Sequence, residues 1–416
     1  MKRIPLISYF SANLISLVGN NLTLIAVPWF VLETTGSAFQ TGLVAFFTAL
    51  PAILAAFFCG TLVDRFGQKR MSIISDLASG ISVLLIPLLY GTTGLQFWQL
   101  LLLVFLSALL DGPGDTARRA LLPELAEAAN LPLEKANAVQ QAIQRAGTLI
   151  GPAIAGFLIV WLGSSNVLWI DAATFAVSAG LFALAIPSVQ PRGKPESGYI
   201  RLLQEGWQFV RRDRLIMALC VAIAITNFLD TPLFAVILPV YAEQVYGQAT
   251  ALGLIVSSFG AGALLGSLLF GLIIFRAPRR MTFLAAFIFV GLPIWVLSFT
   301  PPLYLALAAL FCGGLAAGQL NPLIMTLVQE RTPAALRGRV FGIITALALI
   351  AAPLGMVVAG FLTEWLGVIV VLLIIALIYL LVTLAQVFNS AWNEMNRVIV
   401  RDELSDVENN LQLKTR

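Results

Sequence analysis

The stretch A-G-F-L-I-V-W-L-G at residues 155–163 recurs as A-G-F-L-T-E-W-L-G at residues 359–367, with seven of nine positions identical. A second pair aligns V-P-W-F-V-L-E-T-T-G-S-A-F-Q-T-G-L (27–43) with L-P-V-Y-A-E-Q-V-Y-G-Q-A-T-A-L-G-L (238–254), which share Pro, Gly, Ala, Gly and Leu. Because both pairs run in the same order along the chain, they predict two related halves in parallel. This arrangement is typical of transporters that rock around a site at the membrane midplane.

The composition is that of a membrane protein. Hydrophobic residues make up 59% of the 416 residues and charged residues only 11%, whereas soluble domains carry about 25% charged residues. Histidine is absent, which excludes Ser-His-Asp catalysis, HExxH zinc sites and histidine proton relays. Cys59, Cys220 and Cys312 lie in apolar stretches without CxxC spacing, so we expect core packing, no disulfide framework, no metal site and no cofactor.

Apolar windows of about 20 residues, the length that crosses a bilayer, occur twelve times. Because backbone polar groups must be paired in lipid, these windows predict an all-α polytopic fold of twelve transmembrane helices in two six-helix halves. The predicted spans are 6–32, 39–63, 71–90, 95–115, 137–162, 166–187, 215–242, 250–275, 281–299, 302–327, 339–362 and 367–389.

Lysine and arginine set the predicted orientation. None occurs in the six connections that lie outside if the N-terminus is cytoplasmic, which are 33–38, 91–94, 163–165, 243–249, 300–301 and 363–366. This bias places both termini in the cytoplasm. It also attributes the net charge of +4 to topology and anionic lipid rather than to nucleic acid. The opening M-K-R could begin a signal peptide, but without an A-x-A cleavage site we expect a retained first helix.

The predicted domains follow from one long hydrophilic interruption. They are a first six-helix half (1–187), a cytoplasmic linker (188–214), a second six-helix half (215–389) and a cytoplasmic tail (390–416). The linker repeats apolar residues at helical spacing between basic ones, which predicts an interfacial amphipathic helix. A calmodulin-target-like binding helix is the alternative.

The segment G-T-L-V-D-R-F-G-Q-K-R (60–70) lies between the second and third predicted helices. It is similar to the signature G-x-L-x-D-R-x-G-x-[RK]-[RK] of the major facilitator superfamily, and every fixed position is met. The twelve-helix arrangement resembles that superfamily over most of the chain. The glycines also have roles of their own, because Gly60 allows close helix approach and Gly67 allows a tight turn.

The resemblance implies a latch that joins the two halves on the cytoplasmic side when the site faces outward. Asp64 would meet the start of helix 11 near Gly338–Phe341, and Arg70 would pair with Asp111 or Asp115 at the end of helix 4. A solvated loop that only obeys the charge bias is the alternative. The implied latch residues are Gly60, Asp64, Arg65, Gly67, Arg70, Asp111 and Asp115.

Helix 5 carries G-T-L-I-G-P-A-I-A-G (147–156). This is similar to the superfamily's antiporter motif G-x-x-x-G-P-x-x-G-G, with Ala155 in place of one glycine. Helix 8 carries Gly262 and Gly266, also four residues apart, and we expect the two glycine faces to meet and slide; ordinary helix packing is the alternative. The implied hinge residues are Gly147, Gly151, Pro152 and Gly156.

The segments R-R-A-L-L-P-E-L (118–125) and E-K-A-N-A (134–138), together with helix 5, resemble the macrolide-efflux and enterobactin-exporter branch. The resemblance implies secondary active export of an amphipathic, drug-like small molecule by proton antiport and alternating access. A siderophore or lysophospholipid exporter on the same scaffold stays open, as does a non-transporting membrane sensor or binding protein.

In the superfamily, helices 1, 4, 7 and 10 line the substrate cavity. Polar groups deep in an apolar helix are costly, so those present need a reason. The asparagines could instead link helices by hydrogen bonds, and the aromatic residues could pack in the core. The candidate cavity residues are Asn20, Asn21, Phe30, Phe105, Asn227, Phe228, Phe234 and Gln319.

Asp230 is the acid placed most deeply, near the centre of helix 7, with no basic residue in the same span. A carboxyl group without an evident partner in the membrane can exchange a proton, so Asp230 is the predicted proton-coupling residue. A protonated Asp230 that is only hydrogen-bonded to a neighbouring helix is the alternative. Asp171 and Asp76 are the next candidates. Water explains the acids at outer helix ends, which are Glu33, Glu243 and Glu364.

Two other function classes are disfavoured. No GxxxxGK[ST] phosphate loop occurs, which excludes ATP-driven transport by this chain. The lack of histidine and of polar clusters at one interface argues against a membrane enzyme. We expect a multi-pass monomer in the bacterial cell (inner) membrane whose partners are a small-molecule substrate, protons and membrane lipid, and not nucleic acid.

Overall fold

The computed structural model describes residues 3–187, 207–273, 278–333 and 336–396, apart from the side chains of 56–58, 60–61, 64 and 271–273. Twelve helices in these residues are long and apolar enough to cross a membrane. The predicted all-α fold with twelve spanning helices is therefore confirmed. The helices are α1 (Ile4–Thr35), α2 (Ala38–Phe66), α3 (Gln68–Thr92), α4 (Phe97–Ala128), α5 (Leu133–Leu162), α6 (Ser164–Ala185), α7 (Arg214–Tyr246), α8 (Ala249–Ile273), α9 (Arg279–Ser298), α10 (Leu303–Arg331), α11 (Arg337–Leu366) and α12 (Val368–Phe388).

The predicted spans agree with these helices within a few residues except at the end of α4. The hydropathy window stops at 115, but the helix continues to Ala128. The added turns are rich in Ala, Leu, Arg and Glu, which are strong helix formers. Leu121 and Leu125 in these turns are buried in a core cluster with Tyr9 and Phe182, so packing holds the extension in place.

The repeated nine-residue stretch has the same structure in both copies. Each copy ends a long helix, and its last glycine, Gly163 or Gly367, has a positive φ of 88° or 85°. The Gly163 N–H donates to the Ile159 carbonyl at 2.7 Å, and the Gly367 N–H donates to the Thr363 carbonyl at 3.0 Å. Because a positive φ strains other residues, the glycine at the end of each copy fixes the turn into the next helix.

Helix α7 is locally unwound beyond Pro232. Leu233–Ile237 and Ala242–Tyr246 form π-helical turns on either side of the short α-helical stretch Leu238–Tyr241. Proline cannot donate the usual backbone hydrogen bond, and π turns inside helices occur frequently at functional sites. A proline in the sequence indicates a local weakening of the helix, but it does not predict the change of helix type.

The described chain forms two compact units. The first contains Met1–Pro195, Thr231–Ser257 and Pro353–Val368; the second contains Glu196–Asp230, Ser258–Ala352 and Ile369–Arg416. The first unit thus combines α1–α6 with one end each of α7, α8 and α11. The predicted boundaries at 187, 214 and 389 stay predictions. Much of the predicted linker helix and most of the predicted tail lie outside the described residues.

Candidate functional site

A buried ion pair and its contacts join four helices of the first unit. Arg118 on α4 pairs with Asp76 on α3, and the Ser178 hydroxyl on α6 donates to the second Asp76 oxygen at 2.7 Å. Arg118 Nη1 also donates to Ser16 Oγ on α1 at 3.2 Å. The guanidinium lies 5.4 Å from the centre of the Phe182 ring. One arginine therefore connects α4 to three other helices.

Two further carboxylates lie in the same unit. Asp111 on α4 is within reach of a hydrogen bond with Asn20 and of the charges of Arg118 and Asp76. Asp171 on α6 is fully buried. It accepts hydrogen bonds from Thr23 on α1 and from Thr174 on its own helix. Among the described ion pairs Arg118 binds Asp76, and neither Asp111 nor Asp171 is paired with a lysine or an arginine.

The importance of Arg118 was not predicted. The sequence offers two adjacent arginines, and only the structure distinguishes the buried Arg118 from Arg119, which pairs with Asp115 in solvent. A signal was nevertheless present, because Asp111 and Arg118 are seven residues apart and therefore share one helix face. Asp76 was a secondary candidate for proton coupling, and the structure shows it bound to Arg118 and Ser178.

Asp230 has a partner in the second unit. The Tyr379 hydroxyl on α12 donates to Asp230 Oδ1, and Tyr379 is buried. The premise that Asp230 lacks an evident partner is therefore wrong, because the partner lies on a helix far away in sequence. No described lysine or arginine forms an ion pair with Asp230. Its proposed coupling role now concerns a carboxyl group held by a neutral hydroxyl.

Three of the predicted cavity amides direct their N–H₂ groups to their own helices. Asn21 donates to the Leu17 carbonyl at 2.7 Å and Asn227 to the Ile223 carbonyl at 2.9 Å. Gln319 donates more weakly to the Leu315 carbonyl at 3.4 Å. These bonds leave the amide oxygens able to accept from another group, so a role in substrate contact stays a prediction.

The aromatic candidates differ in exposure. Phe30 is buried, with its ring edge against Tyr90 at a centroid distance of 4.9 Å, which favours core packing. Phe105 is half-buried beside Phe47 at 6.3 Å. Phe228 and Phe234 on α7 are also half-buried. The partial exposure of Phe105, Phe228 and Phe234 is compatible with lining a substrate cavity, whereas the burial of Phe30 is less so.

The predicted cytoplasmic latch is only partly described, since the side chains of Gly60 and Asp64 lie outside the described residues. Gly67 has a φ of 79° and makes the tight turn between α2 and α3. Arg65 and Arg70 are exposed. In the described residues Asp115 pairs with Arg119 at 2.8 Å, and no ion pair joins Arg70 to Asp111 or Asp115.

The antiporter-motif glycines pack closely against α1. A Cβ at Gly151 would lie 2.5 Å from Asn21 Cβ, and Leu17 and Asn21 also border Gly147. Further along α5, Gly156 abuts the backbone of Ala249 and Thr250 at the start of α8. The motif therefore contacts two helices within the first unit.

The Pro152 region of α5 is bonded to α8. Gly253 on α8 meets the Pro152 backbone, and the Ala153 N–H donates to Ser257 Oγ at 3.0 Å. The expected contact between the two glycine faces is wrong, because Gly262 and Gly266 close on the α10 backbone in the second unit instead. Small residues four apart fit any near helix, so spacing alone did not identify the partner.

Comparison with known proteins agrees with this architecture. Residues 9–249 and 221–392 match the family model of the Major Facilitator Superfamily. The multidrug efflux pump Tap of Mycolicibacterium fortuitum is 33% identical over 403 residues, which cover 95% of this chain and 98% of that protein. Macrolide efflux protein A of Streptococcus pyogenes is 24% identical over 365 residues, covering 86% and 89%.

The fold agrees with a solved structure as well. The crystal structure of nucleoside transporter NupG matches with a TM-score of 0.76 at 13% identity, covering 92% of this chain and 98% of that one. The sequence resemblance is thus confirmed, and the protein is a transporter rather than an enzyme. By its sequence over nearly its whole length and by its twelve-helix fold, the chain belongs to the major facilitator superfamily.

Proposed function

We propose that this transporter exports amphipathic, drug-like molecules across the bacterial inner membrane in exchange for protons, by alternating access. Support for the cargo comes from relatives, since the multidrug efflux pump Tap is similar over almost the whole chain. The antiporter-like segment of α5 is in keeping with export, since Pro152 packs against Gly253 of α8 and the Ala153 N–H donates to Ser257 Oγ. The charge bias of the connections supports a cytoplasmic location for both termini.

The proton part rests on Asp230. Its described partner is the Tyr379 hydroxyl, and a carboxyl group held by a neutral hydroxyl can take up and release a proton without breaking an ion pair. Asp171 has a similar environment, because its described hydrogen-bond donors are Thr23 and Thr174. Intramembrane carboxylates of this kind mark proton pathways in transporters.

Transport in proteoliposomes tests the proposal. Vesicles with an acidic lumen should accumulate ethidium and a radiolabelled macrolide through inverted molecules, and nigericin, which collapses the pH gradient, should abolish the accumulation. Empty vesicles control for leakage and for passive trapping of weak bases. Accumulation that persists without a pH gradient would contradict proton coupling, and failure of both compounds together with a panel of other amphiphiles would contradict drug export.

The same vesicles distinguish a drug exporter from an exporter of siderophores or lysophospholipids. A transporter of these molecules would move a catecholate siderophore or a lysophospholipid along the gradient, while ethidium and the macrolide would stay outside. Thermal-shift screening of the purified protein against drugs, siderophores and lipids supplies a binding measurement that does not depend on the gradient.

A further inference from the structure

The N-terminus of α2 is capped by a residue of α11. Ser37 precedes the helix, and its hydroxyl oxygen accepts from the Gln40 N–H at 3.1 Å. Glu364 Oε2 accepts from the Phe39 N–H and from the Ser37 hydroxyl, each at 3.2 Å. The first N–H groups of a helix have no partner inside the helix, so Glu364 satisfies a donor that α2 cannot satisfy itself.

The position of Glu364 is unfavourable for its own helix. It lies in the last turn of α11, where the helix dipole is negative and disfavours a carboxylate. The positive end of α2 compensates for this. In the aligned repeat, the residue that corresponds to Glu364 is Val160, which is exposed on α5. The end of this helix therefore forms in the other copy without a carboxylate. Contact with water alone does not explain the position of Glu364, because Glu364 also binds Ser37 and Phe39.

Beneath this cap the two helix backbones touch. A Cβ at Gly42 on α2 would lie 2.7 Å from the Met356 carbonyl oxygen and 2.9 Å from Gly360 Cα on α11. Phe39 and Phe361 meet edge to face at 6.4 Å. Further along, Ala45 and Met356 are buried with Val236 of α7. All of these residues belong to the first unit.

We propose that Glu364, Ser37 and Phe39 form an outer cap that holds α2 to α11 on the predicted outer side and releases when cargo leaves the protein. This inference rests on the proposed function, because alternating access requires the end formed by the 33–38 and 363–366 connections to open. Glu364 is a positioning residue here and has no contact with cargo.

The cap is suited to repeated opening. Glu364 is exposed, so water replaces its partners as soon as they separate. The buried atoms Gln40 Oε1 on α2 and Thr363 Oγ1 on α11 have no hydrogen-bond partner in the described residues. Polar atoms of this kind gain hydrogen bonds when they become wet, which lowers the cost of separating the helices. When the cap forms again, the close contact between Gly42 and Gly360 can form again as well.

Thiol labelling tests the cap without any cargo or gradient. Ala45→Cys is placed in a chain freed of Cys59, Cys220 and Cys312, and a membrane-impermeant maleimide is added to intact cells. Ala45 is buried under the cap, so labelling should be slow in the parent. Glu364→Ala removes the acceptor of two hydrogen bonds and should accelerate labelling by at least roughly tenfold, the factor that loss of one hydrogen bond to a charged group produces. Glu364→Gln keeps an acceptor and should give a smaller increase.

Matched controls separate gating from loss of structure. Glu33→Gln changes another outer acid, which binds Trp29 and Ser164 and should leave the labelling rate unchanged. A chain that retains only the buried Cys220 should stay unlabelled with Glu364→Ala, because Cys220 reports general unfolding. Thr41→Cys, also buried on α2, is a second reporter if Ala45→Cys does not fold.

The outcomes are distinct from those of the transport assay. Equal labelling of parent and Glu364→Ala at both reporter positions would overturn the outer cap, whatever the vesicles transport. Faster labelling in a protein that shows no proton-driven accumulation would leave the cap standing and contradict the proposed function. Faster labelling together with faster labelling of Cys220 would mean unfolding and would also overturn the cap.

Discussion

Arg118 and Asp76 form an ion pair whose side chains are 8% and 0% exposed, whereas Arg119 and Asp115, next to Arg118 and one turn away, form a pair that is 77% and 49% exposed. Two adjacent arginines of α4 thus form ion pairs in opposite environments. A buried pair is expensive to break from one side, because the remaining charge is left without water or a partner. A solvent-exposed pair has water as a substitute.

Arg118→Met should destabilise the protein by about 3–5 kcal/mol, the usual cost of leaving a buried charge unpaired. Thermal unfolding of the purified protein measures the effect. The double variant Asp76→Leu with Arg118→Met should recover most of the loss, because no charge then remains. Asp115→Asn is the matched control and should cost less than about 1 kcal/mol. Equal losses in the buried and exposed variants would contradict the structural role of this pair.

Asp230→Asn should abolish accumulation driven by a pH gradient while substrate binding persists. The amide keeps the size of the acid and can still accept from the Tyr379 hydroxyl, but it cannot exchange a proton. Downhill exchange of labelled cargo is expected to survive. Full gradient-driven accumulation by this variant would remove Asp230 from the mechanism and direct attention to Asp171.

Tyr379→Phe is the companion change. It removes the hydroxyl donor but leaves the carboxyl group on α7, so coupled transport should persist with a shifted dependence on pH. The rate of accumulation as a function of lumenal pH measures this shift. A profile identical to that of the parent would mean that the hydroxyl does not influence proton exchange at Asp230.

Gly314→Ala should destabilise the protein by about 1–3 kcal/mol, because an added methyl group would overpack the contact between α10 and α8. A Cβ there would lie 2.9 Å from the Phe259 carbonyl carbon and 3.0 Å from Ala263 N. Gly180→Ala is the control, since apart from its own helix turn no atom of the described residues lies within 4 Å of its Cβ position. That variant should be neutral or gain up to about 1 kcal/mol from helix propensity. Thermal unfolding that ranks the two variants in the reverse order would refute the close approach.

Asp64→Asn should impair turnover more than substrate binding, because the 60–70 segment is predicted to lie on the cytoplasmic side, far from the membrane midplane. Loss of a latch carboxylate changes the balance between the inward and outward states, and binding then changes only through their populations. Flux and equilibrium binding in detergent are compared side by side. Normal flux in this variant would exclude a latch function for the loop.

Gln190→Cys, in a chain without native cysteines, should resist a membrane-impermeant thiol reagent in intact cells. The charge bias predicts that the linker and both termini lie in the cytoplasm. Permeabilised cells supply the positive control, because the same cysteine must then react. Rapid labelling in intact cells would invert the topology.

Much of the fold was predictable because membrane helices are specified locally. Apolar length and the positions of Lys and Arg act through the bilayer, which is uniform. The end of α4 was missed because Leu121 and Leu125 are held by Tyr9 and Phe182, residues that are distant in sequence. A window of hydropathy contains no information about such partners.

The site was predicted less completely, since its residues depend on which helix lies opposite. The depth of Asp230 in α7 can be counted along the sequence, but Tyr379 is almost 150 residues away. For the same reason, Glu364 could be placed at a helix end from sequence alone, but its contact with Phe39 could not. Gly262 and Gly266 have the expected spacing, but the spacing does not predict which helix they contact, which is α10.

The pairing of Asp76 with Arg118 also constrains how the chain is made. A charge at the centre of an inserting helix costs about 2.5–3.5 kcal/mol, and less towards its ends; Asp76 on α3 and Arg118 on α4 are both buried. Only a short connection joins Thr92 to Phe97, and the two helices pack along each other. If α3 and α4 leave the translocon together as a hairpin, Asp76 and Arg118 enter the lipid already paired. If α3 left alone, Asp76 would be exposed to lipid without its partner. During synthesis, α3 should therefore wait at the translocon until α4 has emerged from the ribosome.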